Sequence, residues 1–256
     1  MKRFIILMYH SIATPKNATE VRYMCPPQRL EQHVQRLLRA GYTFVGIDAV
    51  RRYYHDQQAL PDKAVLLTLD DGFEDNYLNA WPIFQRYQIP AIIYLATGAM
   101  GKTNWALSVT PSRFTERKML AWAQIKEMAG QGLDFGAHSV SHAKLNLLED
   151  GLASQELVLS KQAIEDHLGS ACQHFAYPYG LFNANTAELV KQAGFVSACS
   201  TQSGFNNPAT DPFMLRRIEV YGNDSPWQLQ QKVDFGINNA SYLLPLQYYA
   251  KRLWSR

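Results

Sequence analysis

Residues Ala64-Val65-Leu66-Leu67-Thr68-Leu69-Asp70-Asp71-Gly72-Phe73, AVLLTLDDGF, change character half-way. Six apolar or β-branched residues read as a buried strand, and two adjacent carboxylates and a glycine end it. Working outward, similar runs fall at Phe4–Tyr9, Tyr42–Val45, Ala91–Leu95, Leu133–Ala137, His174–Tyr177, Val196–Cys199 and Met214–Val220. Between them lie segments with helical periodicity. Gln28–Ala40 carries Leu30, Val34, Leu37 and Leu38 on one stripe and stops at Gly41; Tyr77–Tyr87, Ala121–Ala129, Leu152–Leu168 and Thr186–Ala193 follow. Strands alternating with helices require crossover connections and a parallel sheet, so the fold class is α/β. Seven or eight such units in one domain favour a closed or nearly closed barrel, whose chemistry sits at the carboxyl ends of the strands.

The bulk numbers agree with one domain. The chain has 256 residues and 47% hydrophobic content, ample for a single large core. A net charge of +3, with 18% charged residues and scattered Lys and Arg, gives no nucleic-acid footprint. Cys25, Cys172 and Cys199 are an odd number without a close pair, which argues against a disulfide framework or a cysteine zinc site. Lys2 and Arg3 before FIILM imitate a signal peptide, but the apolar run stops at Tyr9-His10 and no cleavage site follows. No stretch approaches the ~18 apolar residues of a membrane span, so the expected location is cytoplasmic. The barrel is expected over 1–240, and a basic aromatic tail, SYLLPLQYYAKRLWSR, over 241–256. The tail suits either an interfacial helix with peripheral membrane contact or docking onto the barrel. Oligomeric state is not readable.

The strand ends carry the chemistry. Asp70-Asp71 places two repelling, poorly solvated carboxylates at the end of a buried run, which calls for a cation or a proton; a capping turn is the alternative. After Leu133–Ala137 comes His138-Ser139-Val140-Ser141-His142, whose imidazoles converge on one metal if the segment turns helically. A third strand runs into Tyr177-Pro178-Tyr179-Gly180, by itself merely a turn. All three follow strands and so share one rim.

The order TLDDG, HSVSH, YPYG resembles the polysaccharide deacetylase family, the carbohydrate esterases with a NodB homology domain. MLAWAQIKEMAGQGLDFGAHSVSHAKL and FMLRRIEV extend the resemblance over most of residues 1–222. It implies a distorted (β/α) barrel of about seven parallel strands and a metal-dependent hydrolase acting on N-acetylated saccharides. It further implies Asp71, His138 and His142 as ligands of one divalent ion, Asp70 as base, and the amide of Tyr179, after Pro178, as oxyanion donor. Two imidazoles and one carboxylate would leave a position open for water, as in catalytic zinc sites, and cobalt or nickel would suit the same set. The family's third motif usually opens with an Arg that orients the base, and Ala176 stands there. Arg216 and Arg217 point to opposite faces of their strand by its period of two, and Arg217 is the expected partner of Asp70; rim positions for both, with solvated heads, are the alternative.

His10 ends FIILMYH on the same rim. Amide hydrolysis needs a second proton transfer, to the departing amine. The family's usual late Leu-x-His is missing, since no histidine follows His174. Some similar members carry MYH on the first strand, as though circularly permuted, and His10 is the expected general acid; a strand cap is the alternative. Trp105, in the irregular stretch Thr97–Met119, suits sugar stacking or packing. Gly101-Lys102-Thr103 imitates a phosphate loop but lacks its first glycine. His33, His55, His167 and His174 read as surface or helix residues. Alternatives to N-deacetylation are removal of a formyl or other acyl group from a sugar precursor, and a catalytically impaired carbohydrate-binding protein.

Overall fold

The computed structural model describes residues 2–107 and 114–240. The apolar runs form β1 (Ile5–Tyr9), β2 (Thr43–Phe44), β3 (Ala64–Leu69), β4 (Ala91–Leu95), β5 (Asp134–Ala137), β6 (His174–Ala176), β7 (Ser197–Cys199) and β8 (Ile218–Glu219). Hydrogen-bonded neighbours run β7-β6-β5-β4-β3-β1-β8, and β2 pairs with the start of β3. Every pairing is parallel. Just ahead of β8, Leu215 bridges to Cys199 of β7, while Ile218 and Glu219 pair with Leu7 and Met8 of β1. One short stretch therefore touches both ends of the sheet and curls it into a half-barrel, the distorted barrel expected.

The helices are α1 (Pro27–Arg39), α2 (Ile47–His55), α3 (Trp81–Tyr87), α4 (Trp122–Gly130), α5 (Asp150–Leu168), α6 (Ala184–Gln192) and α7 (Pro226–Phe235). Periodicity did not single out α2 or α7. The latter starts at a capping box, Ser225 Oγ accepting from Gln228 N, and stops at Gly236 in the left-handed conformation. Side chains alternate across each strand. Leu7, Leu67, Leu69, Ile93 and Leu95 pack outward against Leu30 and Leu37 of α1, Phe84 of α3, Ile125 of α4 and Leu157 of α5. Ile6, Leu66, Ile92, Tyr94, Ala176, Cys199 and Leu215 form a second core inside the curl, with Ile47, Val50 and Tyr53 of α2.

That inner row continues towards the carboxyl ends as Met8 and His10, Thr68 and Asp70, Gly136 and His138, and Arg217 and Glu219. Gly136 is needed there, because a Cβ would lie 2.6 Å from the Tyr94 ring. The three cysteines are free and buried. One histidine corrects the sequence reading: His174 is buried on β6 against Ser197 Oγ. His33 lies on α1, as a helix residue, but is wholly buried between Tyr9 Oη and the Asp224 carbonyl. Burial pushes each imidazole down to about 4, so both are neutral core groups. Among the described residues no helix is long and apolar enough to cross a membrane; the tail at 241–256 lies outside them.

Candidate active site

At the end of β3 the inner-row parity aims Asp70 into the barrel, and the chain then turns sharply, with Asp71 at φ 75°. Arg217 Nη1 and Nη2 donate to Asp70 Oδ1 and Oδ2 at 2.6 and 2.7 Å, and Arg217 Nε donates to the Ser200 carbonyl at 2.9 Å. Both residues are essentially sealed from solvent. Burial raises the Asp70 carboxyl, but the Arg217 charge, then His138, more than offset it and hold it at about 2. Asp70 is therefore ionised and fixed in orientation by a two-pronged pair. Arg216, on the opposite parity, is exposed.

Asp71 Oδ1 lies 3.5 Å from His138 Nε2 and 3.4 Å from His142 Nε2. His138 Nδ1 donates to the Ala176 carbonyl at 2.7 Å, which leaves Nε2 as the lone-pair nitrogen facing Asp71. Burial pushes both imidazoles down to about 4. Two neutral imidazoles thus meet an Asp71 oxygen whose carboxyl burial raises, and neither Asp71 Oδ1 nor His142 Nδ1 has a hydrogen-bond partner. An orphaned buried carboxylate oxygen is costly unless a cation sits against it. The three ligand atoms lie within 4.8 Å of one another, a donor set that fits one divalent ion.

The imidazoles do not meet through a helical turn, as the spacing suggested. Residues 138–142 are a non-helical loop, with Ser139 at φ 62° and His142 at φ 58°. Glu156 of α5 clamps it: its Oε2 accepts from Val140 N and Ser141 N at 2.8 and 2.9 Å, and its Oε1 from Ser141 Oγ. From the other side Gly98 N donates to the Val140 carbonyl at 2.8 Å, an approach that a Cβ on Gly98 would block at 2.7 Å.

A cleft of about 350 Å³ opens over these groups, lined in part by His10, Asp70, Asp71, His138, His142 and Tyr179. His10 stands beside Asp70, because the Asp70 amide donates to the Tyr9 carbonyl and extends the β1–β3 ladder by one step. Its ring meets Tyr23 edge-on at 5.2 Å. Tyr179, in the left-handed conformation after buried Pro178, lays its ring 4.5 Å from that of His142. Trp105 is half exposed at the mouth.

A sequence profile described as polysaccharide deacetylase matches residues 57–198, more than half of the chain. The chain belongs to the polysaccharide deacetylase family. YxkH of Bacillus subtilis (strain 168), whose name assigns it to the same group, is 28% identical over 216 residues, covering 84% of this chain and 70% of that protein. The poly-β-1,6-N-acetyl-D-glucosamine N-deacetylase of Staphylococcus aureus (strain MSSA476) is 27% identical over 177 residues, 66% of this chain; the match spans 58% of that protein's length. Among solved structures, the Streptococcus pyogenes deacetylase PplD in complex with acetate superposes with a TM-score of 0.78 at 27% identity, covering 90% of this chain and 98% of that one. IcaB from Ammonifex degensii gives 0.78 at 25% identity, covering 92% and 97%.

Within this deacetylase fold the motif reading overlooked the groups that hold the site. Glu156 has no motif neighbour. Arg22 pairs with Glu219 through Nε and Nη2 at 2.7 and 2.8 Å on the cleft wall, across 197 residues of sequence. Wholly buried Glu20 ties the loop before α1 to the segment at Thr115–Arg117. Only the polarity of isolated acids in apolar surroundings hinted at any of them.

Proposed function

We propose that this protein is a divalent-metal-dependent hydrolase that removes N-acetyl groups from an amino-sugar polysaccharide. The observation that carries this reading is the meeting of Asp71 Oδ1 with His138 Nε2 and His142 Nε2 in a cleft that also holds Asp70 and His10. Asp71, His138 and His142 would hold the ion, zinc by default, with cobalt or nickel as substitutes. Such an ion supplies Lewis acidity, polarising the amide carbonyl and easing ionisation of water.

The chain's own residues do the rest. Asp70, kept ionised and aimed by Arg217, takes the proton of the attacking water. The Tyr179 amide donates to the oxygen that gains charge. His10 gives a proton to the amine nitrogen, a poor leaving group until protonated. The rings of Trp105 and Tyr179 offer faces for a sugar.

The Staphylococcus aureus relative makes poly-β-1,6-N-acetyl-D-glucosamine the first polymer to try. The test is release of acetate or formate from N-acetyl and N-formyl oligosaccharides by protein loaded with zinc, cobalt or nickel. Acetate release that stops on chelation is expected, and Asp70→Asn should keep its metal while turnover falls by about 10²–10⁴-fold. Formate alone would reassign the acyl group. Saccharide binding without release of either acid would make the protein a binding module.

A further inference from the structure

After the two carboxylates the chain enters a π-helical turn, Asn76–Ala80, before α3. Such turns are uncommon and concentrate at functional sites. Here the turn faces the segment that leaves β1. Asp75 Oδ2 accepts from Ser11 Oγ at 2.6 Å, and Asp75 Oδ1 accepts from Ile12 N at 2.7 Å. Asn76 Nδ2 donates to the His10 carbonyl at 2.9 Å, and Asn79 Nδ2 to the Ile12 carbonyl at 2.8 Å. Four bonds from this turn and its N-cap residue Asp75 thus fall on three consecutive residues, His10–Ile12. Ser11, Ile12 and Asn76 are wholly buried, so water cannot replace these bonds.

We propose that Asp75 and Asn76 are positioning residues for His10, fastening it to the same segment that carries Asp70 and Asp71. The inference rests on His10 being the general acid. Asp70 and Asp75 belong to one continuous stretch, so the bonds of Asp75 and Asn76 add a second tie between acid and base to the one that the β1–β3 ladder makes through the Asp70 amide and the Tyr9 carbonyl. Without the Asp75 carboxylate, Ser11 Oγ and Ile12 N lose their partners in a dry site, and the segment shifts to recover them. A displacement of about 1 Å in a reacting group can cost about 10²-fold in rate.

The test compares Asp75→Ala and Asp75→Asn, each alone and combined with His10→Ala, by steady-state acetate release, metal content and nitrogen NMR of the histidine rings. Asp75→Ala is expected to lower kcat by about 10- to 100-fold with little change in KM, to keep its metal, to shift the His10 ring signals, and to cost nothing further once His10 is alanine. Asp75→Asn should recover much of the rate, since its carboxamide oxygen can still accept from Ile12 N. Should Asp75→Ala not fold, Ser11→Ala removes one bond and no charge, and is expected to show the same pattern on a smaller scale. An equal loss in the presence and absence of His10, or unmoved His10 signals, would overturn the positioning role. Full activity in His10→Ala would instead overturn the general-acid reading, and the ring signals would still report whether Asp75 holds His10.

Discussion

Arg217 and Arg216 are neighbours with opposite fates. The first is sealed inside the barrel with both arms on Asp70, and the second lies at the surface beside Gly204. Removing one partner of a buried pair leaves the other charge uncompensated, which typically costs about 3–5 kcal/mol. Arg217→Ala is therefore expected to lower stability in urea titrations by that order and to abolish acetate release, whereas Arg216→Ala should stay within about 0.5 kcal/mol. Arg217→Lys should not restore activity, because a point charge cannot span both carboxylate oxygens. Strand parity made this legible: one arginine of the pair had to face inward, and small, buried Ala176 stands on β6 in the same inner core. The backbone of the site was not legible. Asp71, Ser139, His142 and Tyr179 all have positive φ, a conformation that disfavours L-residues by about 1–2 kcal/mol. No glycine marks these four positions, and strain of this kind gathers where a site imposes geometry on the chain.

Elements were read best where periodicity was strong. All eight strands of the described residues fall inside the apolar runs that announced them, whereas α2, a nine-residue helix, did not stand out. The π-helical turn within the expected helix Tyr77–Tyr87 left no trace either, since its bonding depends on the segment after β1 and not on its own composition. The same holds for the loops that wall the cleft, which Glu20 joins. Its carboxylate accepts from Lys16 N, Thr115 N, Thr115 Oγ1 and Arg117 Nη2. Burial raises this carboxyl, and the four bonds overcome that effect and lower it from 4.5 to about 2. Folded protein then binds fewer protons here than unfolded chain, so the stabilisation is complete above about 4.5 and is lost as pH falls towards 2. Thermal melts should show Glu20→Gln losing less stability than the parent across that window, and being the less stable of the two above it. Parallel curves would mean that the two loops are held by other contacts.

At the scale of the molecule, alternation of strand and helix was enough to place His10, Asp70, His138 and Tyr179 on one rim, because a parallel sheet delivers every carboxyl end to the same side. What it could not supply was the position of β1 between β3 and β8, or the bridge from Leu215 to β7 that curls the sheet. Those pairings bring Arg217 to Asp70 from far along the chain, and no local pattern encodes them. The same curling assembles an Asp/His/His cluster able to hold an ion, which the unfolded chain cannot present, since the β3–β4–β5 ladder brings Asp71 and His142 together. A divalent ion should therefore stabilise the whole fold and not only the cleft. For a ligand that binds the folded state alone, free ion at about 100 times its Kd adds about 2.7 kcal/mol. Calorimetry of chelator-treated protein should show Tm rising by several degrees as zinc, cobalt or nickel is restored. His142→Ala should abolish the rise, and Trp105→Ala should leave it intact. Glu156→Ala, which frees the loop between the two histidines without removing a ligand, should require about 10- to 100-fold more ion for the same rise. An undiminished rise in His142→Ala would show that the ion binds elsewhere, and Asp71 would then need another explanation for its unpartnered oxygen.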